Sequence, residues 1–134
     1  MYDIRGKEIK EGADLTGAEL SGADLSGRNL RYVDFRGANL KNANFCCADL
    51  SHADLSGNLK GADLTGATLI AAEFIGADLS GADLSHAELY GANLKGADLT
   101  GADFTGANLI GAELTGAKLT QTKISAEQYL STID

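Results

Sequence analysis

The residues of this chain that could do chemistry are nineteen carboxylates, two histidines, two cysteines and many small hydroxyls. A histidine beside a serine or cysteine makes an activated nucleophile, and clustered Cys and His hold metals. The spacing supplies neither arrangement. Cys46 and Cys47 are adjacent, so a bond between them would close a strained small ring. Metal sites want spaced ligands with further Cys or His nearby. The two thiols are therefore expected to be free bystanders, as cytosolic cysteines usually are. Neither His52 nor His86 can be assembled with a nucleophile and an orienting acid. The seventeen glycines recur mostly at five-residue steps and not in front of a helix, so they spell no phosphate-binding motif. The expectation is a protein that is not an enzyme and carries no cofactor and no metal.

The carboxylates are the dominant chemical feature. The formal net charge is −8 over 134 residues, which disfavours direct nucleic-acid binding through phosphate neutralisation. The charge is uneven. Residues 1–60 hold nine acids and eight bases, residues 61–117 hold eight acids and only Lys95, and residues 118–134 hold two of each. No apolar run approaches the roughly 20 residues that span a bilayer, and no basic-then-apolar leader opens the chain. A soluble, cytoplasmic protein without membrane contact is expected.

What positions these groups is a five-residue repeat, a period that matches neither a helix nor a strand. Large apolar centres fall at Leu15 and every fifth residue to Leu55, then at Leu59 after one missing residue, and again every fifth residue to Ile124. Of the 23 centres 18 are Leu, four Phe and one Ile. Ala precedes the centre by two residues in 19 cases, and Gly follows it by two in 15. Ala and centre point to one side of a short extended segment, and the residue between them points out. The Gly permits the positive φ of a type II turn. Each unit is thus a very short strand plus a corner, four units close a square, and successive squares stack about 4.8 Å apart. The expected fold is all-β: a right-handed quadrilateral parallel β-helix, or β-solenoid, of about six coils. Residues 1–12 form an N-terminal cap, residues 13–124 the β-helix, and residues 125–134 a short C-terminal capping helix and tail.

"ADLSG", "ANLKG" and "ADFTG" resemble the pentapeptide-repeat motif A(D/N)LXX, and the match covers roughly residues 13–126. The stretch "NLRYVDFRGANLKNANFCCADL" is also similar to pentapeptide segments fused to BTB-type domains in eukaryotes. The resemblance implies the same four-sided β-helix. It also implies two behaviours of family members: mimicry of B-form DNA toward DNA gyrase, and pairing through C-terminal ends.

Wrapping the units in fours yields the surface. Asp14, Asp34, Asp54, Glu73, Asn93 and Glu113 stack on the first face, and Asp24, Asn44, Asp63, Asp83, Asp103 and Lys123 on the third. Asp63, Glu73, Asp78, Asp83, Asp98, Asp103 and Glu113 form the candidate acidic surface. One residue past the centres of the fourth face come Arg31, Ser51, Ile70, Tyr90 and Ile110, with Ile75 around the corner. Ile70, Ile75, Tyr90 and Ile110 form a candidate apolar partner surface, because contiguous exposed apolar patches mark interaction sites. His52 and His86 fall at outward corners. The four Phe, on opposite faces, are expected to fill the middle of the square. The gap near Gly57 should tighten a corner, and Arg28, in a small-residue slot, should turn outward and distort its own. Tyr2, Ile4 and Ile9 are offered as the N-terminal seal. Ser125 and Gln128 form a capping box for a helix bearing Tyr129, Leu130 and Ile133.

The leading expectation is a non-enzymatic scaffold that presents an acidic rod to another protein. The alternatives are a DNA-mimicking modulator of DNA gyrase or another type II topoisomerase, and a structural or consensus repeat module with no dedicated partner. A homodimer through the C-terminal helix or the apolar stripe is a further expectation.

Overall fold

The computed structural model describes residues 1–133; position 134, the end of the expected tail, lies outside them. The chain winds as a right-handed β-helix with four faces. Parallel single-residue bridges join each coil to the next at a twenty-residue step, as in Asp14 to Asp34 and Asp83 to Asp103. The step shortens to nineteen across the missing residue, as in Asp63 to Asn44. The first outward residues of faces one to four are Asp14, Glu19, Asp24 and Asn29.

The unit at residues 82–86 shows why five residues suffice. All five of its N–H groups are bonded. Ala82 donates to Leu79 O across the turn (3.0 Å), Asp83 to Ala62 O in the preceding coil (3.0 Å), and Leu84 and His86 to Asp103 O (2.7 Å) and Thr105 O (2.8 Å) in the following one. The fifth, Ser85 N–H, donates to the Asp83 carboxylate (2.9 Å). Such complete pairing is what a repeating fold requires of its backbone. The second corner residue takes positive φ, supplied by Gly or, at a cost, by Tyr32, Asn42, Cys47, His52, Ala71, His86 and Gln121.

The core is a column of centres lined by Ala. From Leu15 to Leu109 every centre is buried. Phe35 and Phe45 meet edge to face across the second coil, 5.9 Å between ring centroids at 75°. Phe74 and Phe104 are also fully buried, but in different coils. At the missing residue Gly57 serves as corner and inward residue together: its N–H turns back to Leu55 O (2.8 Å) and its O accepts from Asp78 N–H (3.0 Å). A Cβ there would lie 2.7 Å from Ala38 O, so only Gly fits. Arg28 is half-buried. Its turn lacks the bond to Leu25 O that Ala23 and Val33 make to Leu20 O (3.0 Å) and Leu30 O (3.3 Å) at neighbouring corners, the distortion its bulk demands.

The ends differ from expectation. Of the three N-terminal candidates only Ile9 is buried; Tyr2 and Ile4 are 65% and 83% exposed. The reason is a small antiparallel hairpin, bridged at Tyr2 and Glu8, that turns Tyr2 and Ile4 outward and is organised by the buried Asp3. The Asp3 carboxylate accepts from the N–H groups of Arg5 and Lys7, both at 2.9 Å, and pairs with the Arg5 guanidinium at 2.7 Å. At the other end, α1 spans Ala126–Leu130, with Ser125 and Gln128 in a reciprocal capping box. The Gln128 amide also donates to Phe104 O (2.6 Å) and Ala107 O (3.0 Å). Yet α1 buries none of its residues, and Leu114, Leu119 and Ile124 in the last coil are only half-buried. No helix among the described residues is long and apolar enough to cross a membrane.

Candidate interaction surface

The outward residue before each centre has a structural duty. Asp14, Asp24, Asp63, Asp78, Asp98 and Asp103 each accept the N–H two residues on, at 2.9–3.1 Å. This is the Asx turn. Asn29, Asn39, Asn44, Asn58, Asn93 and Asn108 make the same bond. At several corners the hydroxyl of the Ser or Thr two residues on donates to the same oxygen, as Ser80 does to Asp78 and Thr100 to Asp98 (both 2.6 Å). Sequence reasoning missed this role, although Asp or Asn two residues before a turn donor is its signal.

These bonds act on the charges. The Thr100 hydroxyl and N–H hold the Asp98 carboxyl below the ordinary carboxylate range, with Lys118 and Lys60 adding attraction. The Thr105 hydroxyl and N–H do the same for Asp103, helped by Lys123 and His86. Asp24 is lowered by Ser26. At Asp3 burial pushes the other way, and the bonds from Lys7 and Arg5 prevail.

The seven acids of the candidate surface fall on three faces. Asp63, Asp83 and Asp103 form one bridged column on face three, beside Asp78 and Asp98 on face two. Glu73 and Glu113 stand on face one, separated by Asn93. One Glu73 oxygen is buried without a hydrogen-bond partner, and Glu113 pairs with Lys95 at 3.1 Å.

The four apolar candidates do not share one column. Ile70, Tyr90 and Ile110 stack at the fourth corner, between faces four and one, linked by bonds from Ala71 N–H to Tyr90 O (3.0 Å) and Gly91 N–H to Ile110 O (3.0 Å). They are 39%, 56% and 53% exposed. Ile75 stands at the next corner, in the column of Ser56 and Lys95. Sequence reasoning missed two further members of the fourth corner. Tyr32 and His52 stack ring on ring at 4.9 Å and 7°, and the Arg31 guanidinium lies 5.6 Å from the Tyr32 ring centre. Ile70 and Tyr90 follow Thr68 and Glu88, which cannot form the Asx turn. Their N–H groups accordingly make no hydrogen bond among the described residues.

The arrangement can attract and grip; its polar groups face outward and do not converge. Among the described residues no three His, Cys, Asp or Glu side chains gather as a metal site. Cys46 and Cys47 are free, with their sulfurs 3.5 Å apart.

The chain matches the family model described as "Pentapeptide repeats", in eight copies over residues 11–31, 29–57, 58–85 and 87–125. No curated protein matches it. Among solved structures it is similar to a pentapeptide repeat protein of the Arabidopsis thaliana thylakoid lumen, at 33% identity over 91% of this chain and 75% of that one, with a TM-score of 0.44. It is similar to Rfr23 of the cyanobacterium Cyanothece 51142, at 39% identity over 61% and 56%, with a TM-score of 0.39. It is also similar to QnrB1, described as a plasmid-mediated fluoroquinolone resistance protein, at 24% identity over 96% and 69%, with a TM-score of 0.52.

Proposed function

The chain belongs to the pentapeptide-repeat family, and we propose that it is a non-enzymatic scaffold whose acidic rod binds another protein. One observation carries this reading. Asn makes the same corner bond as Asp at six positions of this fold, so the fold does not need the negative charge. The eight acids of residues 61–117, against one base, are a surplus over structural need. A surface of one sign raises the encounter rate with an oppositely charged partner and disfavours wrong ones. The half-buried centres of the last coil, Leu114, Leu119 and Ile124, favour self-association at that end. Light scattering would then report twice the 13.8 kDa chain mass.

The test is retention of a partner from the native cell extract by the immobilised chain. A basic protein held in stoichiometric amount by the wild type and lost by the triple variant Asp63→Asn, Asp83→Asn, Asp103→Asn supports the scaffold. Retention unaffected by that variant, or no retention, overturns it.

A second reading is favoured by the paired columns of faces two and three. In the fourth and fifth coils these columns carry two carboxylates each, Asp78 with Asp83 and Asp98 with Asp103; with coils about 4.8 Å apart that local density is one charge per roughly 2.4 Å of axis, against about 1.7 Å for duplex DNA. This supports mimicry of DNA toward a type II topoisomerase such as gyrase. A gyrase supercoiling assay separates the readings. Inhibition or drug protection that disappears in the triple Asn variant selects mimicry; no effect at micromolar protein removes it.

A further inference from the structure

We propose that the fourth corner is a docking ridge for an amphipathic α-helix with basic flanks. This inference rests on the scaffold reading and adds the form and chemistry of the partner. The repeat region has five exposed large apolar side chains, and four of them, Tyr32, Ile70, Tyr90 and Ile110, lie at this one corner. His52 fills the remaining coil by stacking on Tyr32. The ridge therefore offers one large side chain per coil over five consecutive coils, where most corners offer Ser, Thr, Lys or Gly.

The spacing selects the partner's form. Coils repeat at about 4.8 Å and a helix at about 5.4 Å per turn. Over the two intervals from Ile70 to Ile110 the mismatch is about 1.2 Å, within the reach of a side chain. A strand presents same-face residues about 6.7 Å apart, and over the same two intervals it slips by nearly a whole coil. A strand also finds no edge at a corner, because the inter-coil hydrogen bonds run along the rod and are already made.

The charge selects the flanks. The outward slots of faces four and one, which meet at this corner, hold seven acids and no base. Lys7, Arg31, Arg36 and Lys95 pair with five of them, Asp14, Asp49, Asp34, Asp54 and Glu113. That leaves Glu88 on face four and Glu73 on face one without a cation among the described residues, one on each side of the Ile70–Tyr90 stretch. Lys or Arg on both sides of an apolar row would face them. A Gln or Asn carbonyl beside the apolar row would accept the N–H groups of Ile70 and Tyr90.

The test uses the full chain and a synthetic helical peptide of about fifteen residues, four turns, with one Leu row flanked by Lys. Its controls carry Glu for Lys, or the same residues with the Leu scattered around the helix. Fluorescence anisotropy should show binding to the wild type. It should weaken by at least about tenfold in the triple variant Ile70→Ser, Tyr90→Ser, Ile110→Ser, and with either control peptide. Circular dichroism of that variant, whose changes are all at exposed positions, should match the wild type. The face-three Asn variant should bind the peptide as the wild type does. Equal binding by the triple Ser variant, or by the scattered-Leu peptide, overturns the ridge. The two readings fail separately. A cellular partner lost by the face-three Asn variant but kept by the triple Ser variant refutes the ridge and leaves the scaffold. Peptide binding confined to the wild-type ridge, without any cellular partner, supports the ridge and refutes the scaffold.

Discussion

At Asp98 one carboxylate oxygen accepts both the N–H and the hydroxyl of Thr100. That oxygen, not its charge, closes the corner. Asp98→Asn should therefore leave stability nearly unchanged, while Asp98→Ala should cost about 1 kcal/mol in urea denaturation. The shifts have a sign. The carboxyls of Asp24, Asp98 and Asp103 lie below their ordinary range in the folded chain. Their contribution is complete above the ordinary carboxylate range and is lost as pH falls through the lower folded values. Thermal melts should be insensitive to these groups at neutral pH and fall in strong acid, with a shallower fall in Asp98→Asn. Two backbone positions complete this scale. Ala71 sits at φ 58°, a conformation costly for an L-residue, so Ala71→Gly should add up to about 1 kcal/mol and raise Tm. Gly57→Ala should cost about 1–3 kcal/mol, because the new Cβ meets Ala38 O at 2.7 Å. The outward and inward roles of Ala, Asp and Leu were legible from period alone. The Asx bond was not, because spacing says where a side chain points and not which N–H it meets.

The coils and the two ends behave as distinct elements. Each coil bonds to both neighbours, and stability in such stacks lies in nearest-neighbour contacts. The termini break the symmetry. The first-coil centres Leu15 and Leu25 are fully buried, whereas Leu114, Leu119 and Ile124 in the last coil remain half-buried. Hydrogen exchange should show this directly. The amides of Leu15, Leu20 and Leu25, which donate into the second coil, should be protected far longer than those of Leu114, Leu119 and Ile124. Equal protection would mean that the last coil is sealed in solution, by pairing or otherwise. The helix and its capping box were legible from Ser125 and Gln128. The hairpin was not: Tyr2 and Ile4 read as core by hydrophobicity, and the residue that organises their turn is the charged Asp3. The fourth-corner ridge was half legible. Ile70, Tyr90 and Ile110 stand out against a Ser/Thr background, but Tyr32 and His52 occupy the glycine slot, one position away from the column being read.

The whole molecule is a rod whose interior is uniform and whose exterior is not. Uniform Leu, Phe and Ala fix the fold, and the variable information sits in the outward slots and corners. Charge accumulates in residues 61–117, and apolar corner residues gather between faces four and one. The central claim is that this charge serves binding and is dispensable for folding. The most direct measurement replaces Asp63, Asp78, Asp83, Asp98 and Asp103 together by Asn and compares partner retention at equal fold content. The prediction is a Tm little changed from the wild type, because Asn accepts the same corner N–H, together with loss of the retained partner. A variant that keeps its partner at wild-type level, or that fails to fold, would contradict the claim.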